Sequence, residues 1–116
     1  MPFPVVSPFW RNPYYMITNT ANTVLRDARN EYLQGIFQNN MPIFWNLNPY
    51  FPINSPAFNV NFKIRLFDWR QNPMMDTFIS EVMFNMSTYT VPPNPYPPTI
   101  TLMQNNTKIT LELQWQ

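Results

Sequence analysis

The sequence predicts a mainly β fold: a small antiparallel sheet or sandwich with one short helix and extended proline-rich arms. Three observations carry this. Apolar and polar residues alternate strictly through Phe58–Leu66. A second alternating run closes the chain at Ile109, Leu111, Leu113 and Trp115, behind the turn-prone Asn105-Asn106. Finally, fourteen prolines against a single glycine bar long helices and central strands wherever the prolines fall.

At 116 residues the chain is read as one small domain, with an arm (1–17), a helix and irregular connection (18–57) and a β core (58–116). The arm contains Pro2, Pro4, Pro8 and Pro13 among large aromatics. Proline fixes φ and has no N–H to donate, so this stretch is expected to be extended. Phe3, Phe9, Trp10, Tyr14 and Tyr15 would then be partner-binding residues, since an arm gives them no core of their own. No signal peptide is expected, because the apolar start lacks a basic region.

In residues 18–40, Leu25, Ala28, Tyr32 and Leu33 recur near helical spacing. Asn22 can cap a start and Gly35 can end it in a left-handed conformation. A helix is expected over about 23–34. Residues 41–57 return to proline and aromatics and read as a long irregular connection.

From 58 the period becomes two. Phe58, Val60, Phe62, Ile64 and Leu66 share one face; Asn59, Asn61, Lys63 and Arg65 share the other, which Phe67 and Trp69 then join. The next stretch admits two readings. Asn72-Pro73 is a good helix start, and Met74, Met75, Phe78, Ile79, Val82 and Met83 fit a helical stripe. Phe78, Val82, Phe84 and Met86 also fit one face of a strand, and the β-rich neighbourhood favours a strand from about 77 to 91. A hairpin follows over roughly 99–115. Between them, "VPPNPYPP" (91–98) has five prolines in eight residues. It reads as a stiff polyproline II connector of about 25 Å, with Tyr96 available to a partner.

The charge pattern narrows function. Only 11% of residues are charged, against ~25% in ordinary globular domains. The net charge is +1, and no basic run marks a duplex-DNA surface. With so little charge to keep it in solution, much of the surface is expected to lie against other protein. No segment approaches 18 consecutive apolar residues, so no membrane span is expected.

Chemistry is poorly provisioned. The chain has no histidine or cysteine, which removes the usual zinc sets, thiol nucleophiles and histidine-based triads. One glycine leaves no phosphate-cradling loop. Asp68, Asp76 and Glu81 are the closest carboxylates in sequence and read as solvated charges at strand ends. No catalytic site, cofactor or metal is expected, and the protein is not read as an enzyme. Asn85-Met86-Ser87 and Asn105-Asn106-Thr107 match the glycosylation sequon, as chance allows in so asparagine-rich a chain.

The composition resembles that of small minor capsid or cement proteins of large icosahedral DNA viruses: rich in Asn, Pro, Phe and Met, without Cys or His, with sticky proline-broken arms around a β core. The resemblance implies a non-enzymatic structural subunit of a virion that bridges or stabilises major capsid subunits, with major or other minor capsid proteins as partners. Two alternatives rest on the residues. Pro49–Pro52, Pro92–Pro95 and Pro95–Pro98 have the spacing of ligands for aromatic-lined grooves, which suits an adapter. Lys63, Arg65, Phe67 and Trp69 mix cations and rings as single-strand nucleic-acid binders do, although so small a net charge gives little pull on phosphate.

Overall fold

The computed structural model describes residues 10–33, 36–37, 45, 51–104 and 107–115. It is mainly β. Among the described residues eight strands run in chain order: β1 (Trp10–Arg11), β2 (Pro13–Asn19), β3 (Val24–Asp27), β4 (Ile36–Phe37), β5 (Asn61–Asp68), β6 (Thr77–Asn85), β7 (Thr99–Gln104) and β8 (Thr107–Glu112). A four-stranded antiparallel sheet has the order β3-β2-β5-β6. β7 and β8 form a separate hairpin, and β1 pairs with β4. Helical structure among the described residues is limited to short 3-10 turns.

Period-two patterning sets the core. Ile17, Ile64 and Val82 lie in register across three strands, as do Phe62 and Phe84. All five are buried and join Tyr15, Met86, Ile100 and Leu102 in one cluster. Each such side chain contributes about 1.5–3 kcal/mol through burial. Ile100 and Leu102 come from the hairpin, which thereby covers this inner face of the sheet. Leu111 and Ile109 stand opposite them in register and pack partly buried against the same cluster. The hairpin is also fastened to the last strand of the sheet. Gln104 accepts the Met83 N–H at Oε1 (3.0 Å) and donates to the Met83 carbonyl from Nε2 (3.4 Å).

The structure corrects the helix expected over 23–34. Asn22 is not a helix cap; it has φ 65° in the turn between β2 and β3. Asn19 Oδ1 accepts from the N–H groups of Ala21 and Thr23, both at 2.9 Å. Short asparagine side chains both tolerate left-handed backbone and bond it locally. Residues 24–27 then pair with β2, with Leu25 as an extra residue at an irregularity in the register. The Arg29–Glu31 segment is one 3-10 turn. Tertiary pairing has overridden a weak helical spacing. Gly35 lies outside the described residues.

The arm is corrected as well. Residues 13–19 are an interior strand of the sheet, paired on both sides. Pro13 is tolerated because it is the first residue of that strand. Residues 1–9 lie outside the described residues, as do Asn105 and Asn106 at the hairpin turn. β6 is a strand, as favoured, but ends at Asn85, whose side chain caps a 3-10 turn over Met86–Tyr89.

Residues 91–98 are not an extended connector. Tyr96 has φ 55°, outside polyproline II geometry. Its N–H donates to the Tyr89 carbonyl (2.7 Å), which folds the segment back on itself. Pro97 and Pro98 carbonyls accept from Trp115 Nε1 and Leu113 N, both at 2.8 Å. The Trp115 ring stands edge-on to Tyr96 and to Phe58. The prolines make a compact turn fastened to the end of the chain. The Pro92–Pro93 peptide bond is cis.

Candidate functional site

Three strand termini converge at one end of the sheet: the start of β2, the end of β5 and the start of β6. Two carboxylates organise them. Asp68 is 0% exposed. It accepts the Asn12 N–H (2.8 Å) and Arg70 Nη2 (2.7 Å). Asp76 takes four donors: Tyr14 Oη (2.6 Å), Arg29 Nε (2.8 Å), Arg29 Nη2 (3.3 Å) and Arg70 N (2.7 Å). Asp68 is a buried anchor and Asp76 a partly buried one with little of its side chain exposed, not the solvated strand-end charges expected. A buried carboxylate is tolerated only when paired and hydrogen-bonded, as both are.

The proton affinities follow. Burial alone would push the Asp76 carboxyl up, but hydrogen bonds from Arg29, Tyr14 and the Arg70 N–H outweigh it and hold it at about 2. Burial, then the bond to Asp76, pushes the Tyr14 phenol well above its ordinary value. The bond to Asp76 likewise strengthens the hold of Arg29 on its proton. Arg29 Nη2 also donates to the Arg70 carbonyl (2.6 Å), and its guanidinium lies 5.5 Å from the centre of the Trp69 ring. Trp69 stacks on Tyr32 with centroids 4.0 Å apart.

This clamp holds the loop between β5 and β6. Asn72 Oδ1 accepts the Met74 N–H (3.1 Å) and opens a 3-10 turn over Pro73–Met75. The turn projects Met74, 90% exposed, and Met75, 63% exposed. Opposite Leu66 and Phe67 the register of β6 slips, with Ser80 facing Leu66 and Phe78 facing Phe67. Ile79 is the extra residue, and such a bulge turns side chains away from the regular alternation. Phe78 and Ile79 are therefore also exposed. Four large apolar side chains within six residues are thus largely exposed at this tip, with Phe78 resting in part against Phe67 and Arg65.

No family model matches the chain, and no curated protein or solved structure matches it either. The site is therefore read from its own geometry.

Of the expected partner-binding residues, Tyr14 and Tyr15 are buried in this chain's own interior, which removes them as surface contacts. Tyr14 stacks on Phe67, and Tyr15 meets Trp45 edge-on and receives a hydrogen bond from Arg26. Tyr96 is half exposed against Trp115. Phe3 and Phe9 lie outside the described residues. Trp10 is placed by its backbone in β1.

The basic-aromatic face is only partly assembled. Lys63, Arg65 and Phe67 lie on β5, but Glu81 sits between the two cations, at 3.6 Å from Lys63 Nζ and 3.1 Å from Arg65 Nε. Arg65 is packed over the rings of Phe67 and Phe78. Trp69 belongs to the clamp with Tyr32 and Arg29 instead. Among the described residues no group of three or more His, Cys, Asp or Glu could hold a metal ion. No helix there is long and apolar enough to cross a membrane. Asn85 of the first sequon spends its side chain on Ser87 and Asn61.

Sequence reasoning missed the tip because Met74, Met75, Phe78 and Ile79 were weighed only as part of a helical stripe, and the strand favoured over it accounted for Phe78 alone. Asn72-Pro73 was the available signal: it starts a turn immediately before two methionines.

Proposed function

We propose that the protein is a non-enzymatic structural subunit of a large protein assembly, docked to its neighbours through the Met74–Ile79 tip. One observation carries the reading: four large apolar side chains within six residues are exposed at the β5–β6 connection and the start of β6, a segment held by Asp68 and Asp76. An exposed apolar cluster is costly to a free chain of low charge and useful at an interface. Holding the loop in place beforehand lowers the ordering cost of docking. Methionine suits such a surface because its unbranched side chain adapts to irregular partners.

The composition narrows the assembly to a virion, in which the chain acts as a minor capsid or cement protein that bridges major capsid subunits. The adapter reading loses its main support, since 91–98 is a folded turn and not a presented polyproline segment. The nucleic-acid reading has its cations already engaged by Glu81.

A photoreactive residue at position 74, in particles isolated from the native source, tests this. Cross-links from position 74 to an abundant shell subunit are expected, with position 103 on the hairpin as a comparison site. A chain that sediments free of any particle, with no cross-link at position 74, would overturn the reading.

A further inference from the structure

We propose that two copies of the chain join edge to edge through β8, antiparallel about a two-fold axis at Thr110. This goes beyond the docking role of the tip and does not rest on it, since β8 takes no part in the tip or its clamp. The first argument is an open edge. Among the described residues β8 pairs with β7 alone. Just past β8 the Leu113 N–H donates to the Pro98 carbonyl, which stands opposite it in the same register. Antiparallel bonding alternates along a strand, so Leu111 and Ile109 also bond towards β7. The N–H and C=O groups of Lys108, Thr110 and Glu112 therefore point away from β7, spaced to bond a further strand.

Charge complementarity names the occupant. Lys108, Thr110 and Glu112 are all exposed, and they share one face of the strand. Among the described residues neither Lys108 nor Glu112 has an ion-pair partner. Four residues apart on a strand, they stand about 13 Å from each other and cannot pair within one chain. A two-fold at Thr110 sets Thr110 against its own copy and the Lys108 of each chain against the Glu112 of the other. Opposite charges in directly facing positions stabilise a strand pair. Two-folds at Lys108 or Glu112 would oppose like charges, and two-folds at Ile109 or Leu111 would set both charges against uncharged residues.

The inner face fits the same axis. Ile109 and Leu111 pack against the core but are only partly buried, because an edge strand leaves its apolar row open on one side. The two-fold at Thr110 sets Ile109 against Leu111 of the other copy, which covers that side. Such a contact is self-complementary and uses up both edges, so it closes at two copies.

Charge reversal on the full-length chain tests this. In sedimentation the unmodified chain should dimerise. Lys108→Glu or Glu112→Lys alone should raise the dissociation constant about tenfold or more, with an unchanged far-ultraviolet spectrum. Both reversals in one chain should restore dimerisation, since each charge again meets its opposite across the axis. The chain has no native cysteine, which allows a second measurement. Facing residues of a hydrogen-bonded pair have Cα atoms about 5.5 Å apart, within disulfide reach. Full-length Thr110→Cys should therefore link to itself on mild oxidation, and Thr101→Cys, also exposed but on β7, far less. Any of four results overturns the proposal: an unmodified chain that is monomeric at every concentration, single reversals without effect, a double reversal as weak as the singles, or equal linking at positions 101 and 110. None of these bears on particle cross-linking at position 74, which tests the docking role by itself.

Discussion

The Tyr14 hydroxyl donates to Asp76 Oδ2 at 2.6 Å across 62 residues of sequence. It fixes the start of β2 to the start of β6 although β5 lies between them in the sheet. Arg29 reaches the same oxygen from the 3-10 turn that follows β3. One carboxylate thus ties directly together chain segments that sheet pairing joins only through intervening strands, and the exposed loop stands on it.

Acid should loosen this end of the molecule. Asp76 is held at about 2 against an ordinary 3.8, so the folded protein binds that proton less readily than the unfolded chain. Its contribution is complete above about pH 4 and is lost as pH falls through the native value. Denaturant midpoints measured from neutral pH down to strong acid should show the decline, and Asp76→Asn should flatten it while lowering stability at neutral pH.

The same bond acts with opposite sign in base. The Tyr14 phenol is raised above 10.0, so its contribution is whole below that pH and is lost as pH rises beyond it. Followed through phenolate absorbance, one tyrosine should resist titration until the fold opens. Tyr14→Phe should remove that resistant fraction and cost about 1–2 kcal/mol.

The hairpin should show a strong face dependence. Leu102 is buried in the shared core, whereas Thr101 and Thr110 are exposed on the opposite side. Leu102→Ala should cost about 2–5 kcal/mol. Thr110→Ala should stay within roughly 0.5 kcal/mol. Urea midpoints of the two variants compare them directly, and equal losses would mean the register is wrong.

Methionine oxidation should report the tip. In the free chain, mild peroxide should modify Met74, Met103 and Met75 well before Met86, which is 6% exposed. Within the assembly, Met74 and Met75 should be protected while Met103 stays reactive. Peptide mass spectrometry reads each site separately. Protection of Met103 with continued reactivity at Met74 would place the interface elsewhere.

Tyr96 should tolerate only certain replacements. At φ 55° asparagine is readily accommodated and a β-branched residue is not. Both Tyr96→Asn and Tyr96→Val lose the ring contact with Trp115, so their difference isolates the backbone. Val should be the worse of the two by about 1 kcal/mol or more, as thermal midpoints would show.

Strand periodicity was legible wherever one face meets the core. Phe62, Ile64 and Leu66 alternate plainly with Lys63 and Arg65, and the structure follows them. β2 gave no such signal because both of its faces are covered: Tyr14 and Thr18 are as buried as Tyr15 and Ile17. Its sequence therefore reads as a continuous apolar run behind a proline. Asparagine 22 was ambiguous in principle, since one short side chain serves equally at a helix start and in left-handed turn backbone. Nor could the clamp be read from spacing. Asp76, Arg29 and Tyr14 are far apart in sequence, and a lone aspartate beside a turn looks the same whether it faces water or a buried phenol.

The Gln104 amide laid along the Met83 main chain has a consequence for growth. A side-chain amide offers one acceptor and one donor with the spacing of a peptide group, so it stands in for the next residue of a ladder that then stops. At Met83 the sheet is thereby closed to a further strand. Without that stopper, a sparsely charged chain would hold at this edge a template for open-ended strand addition. A single glutamine at the end of the hairpin's first strand thus guards the edge against fibre-like growth.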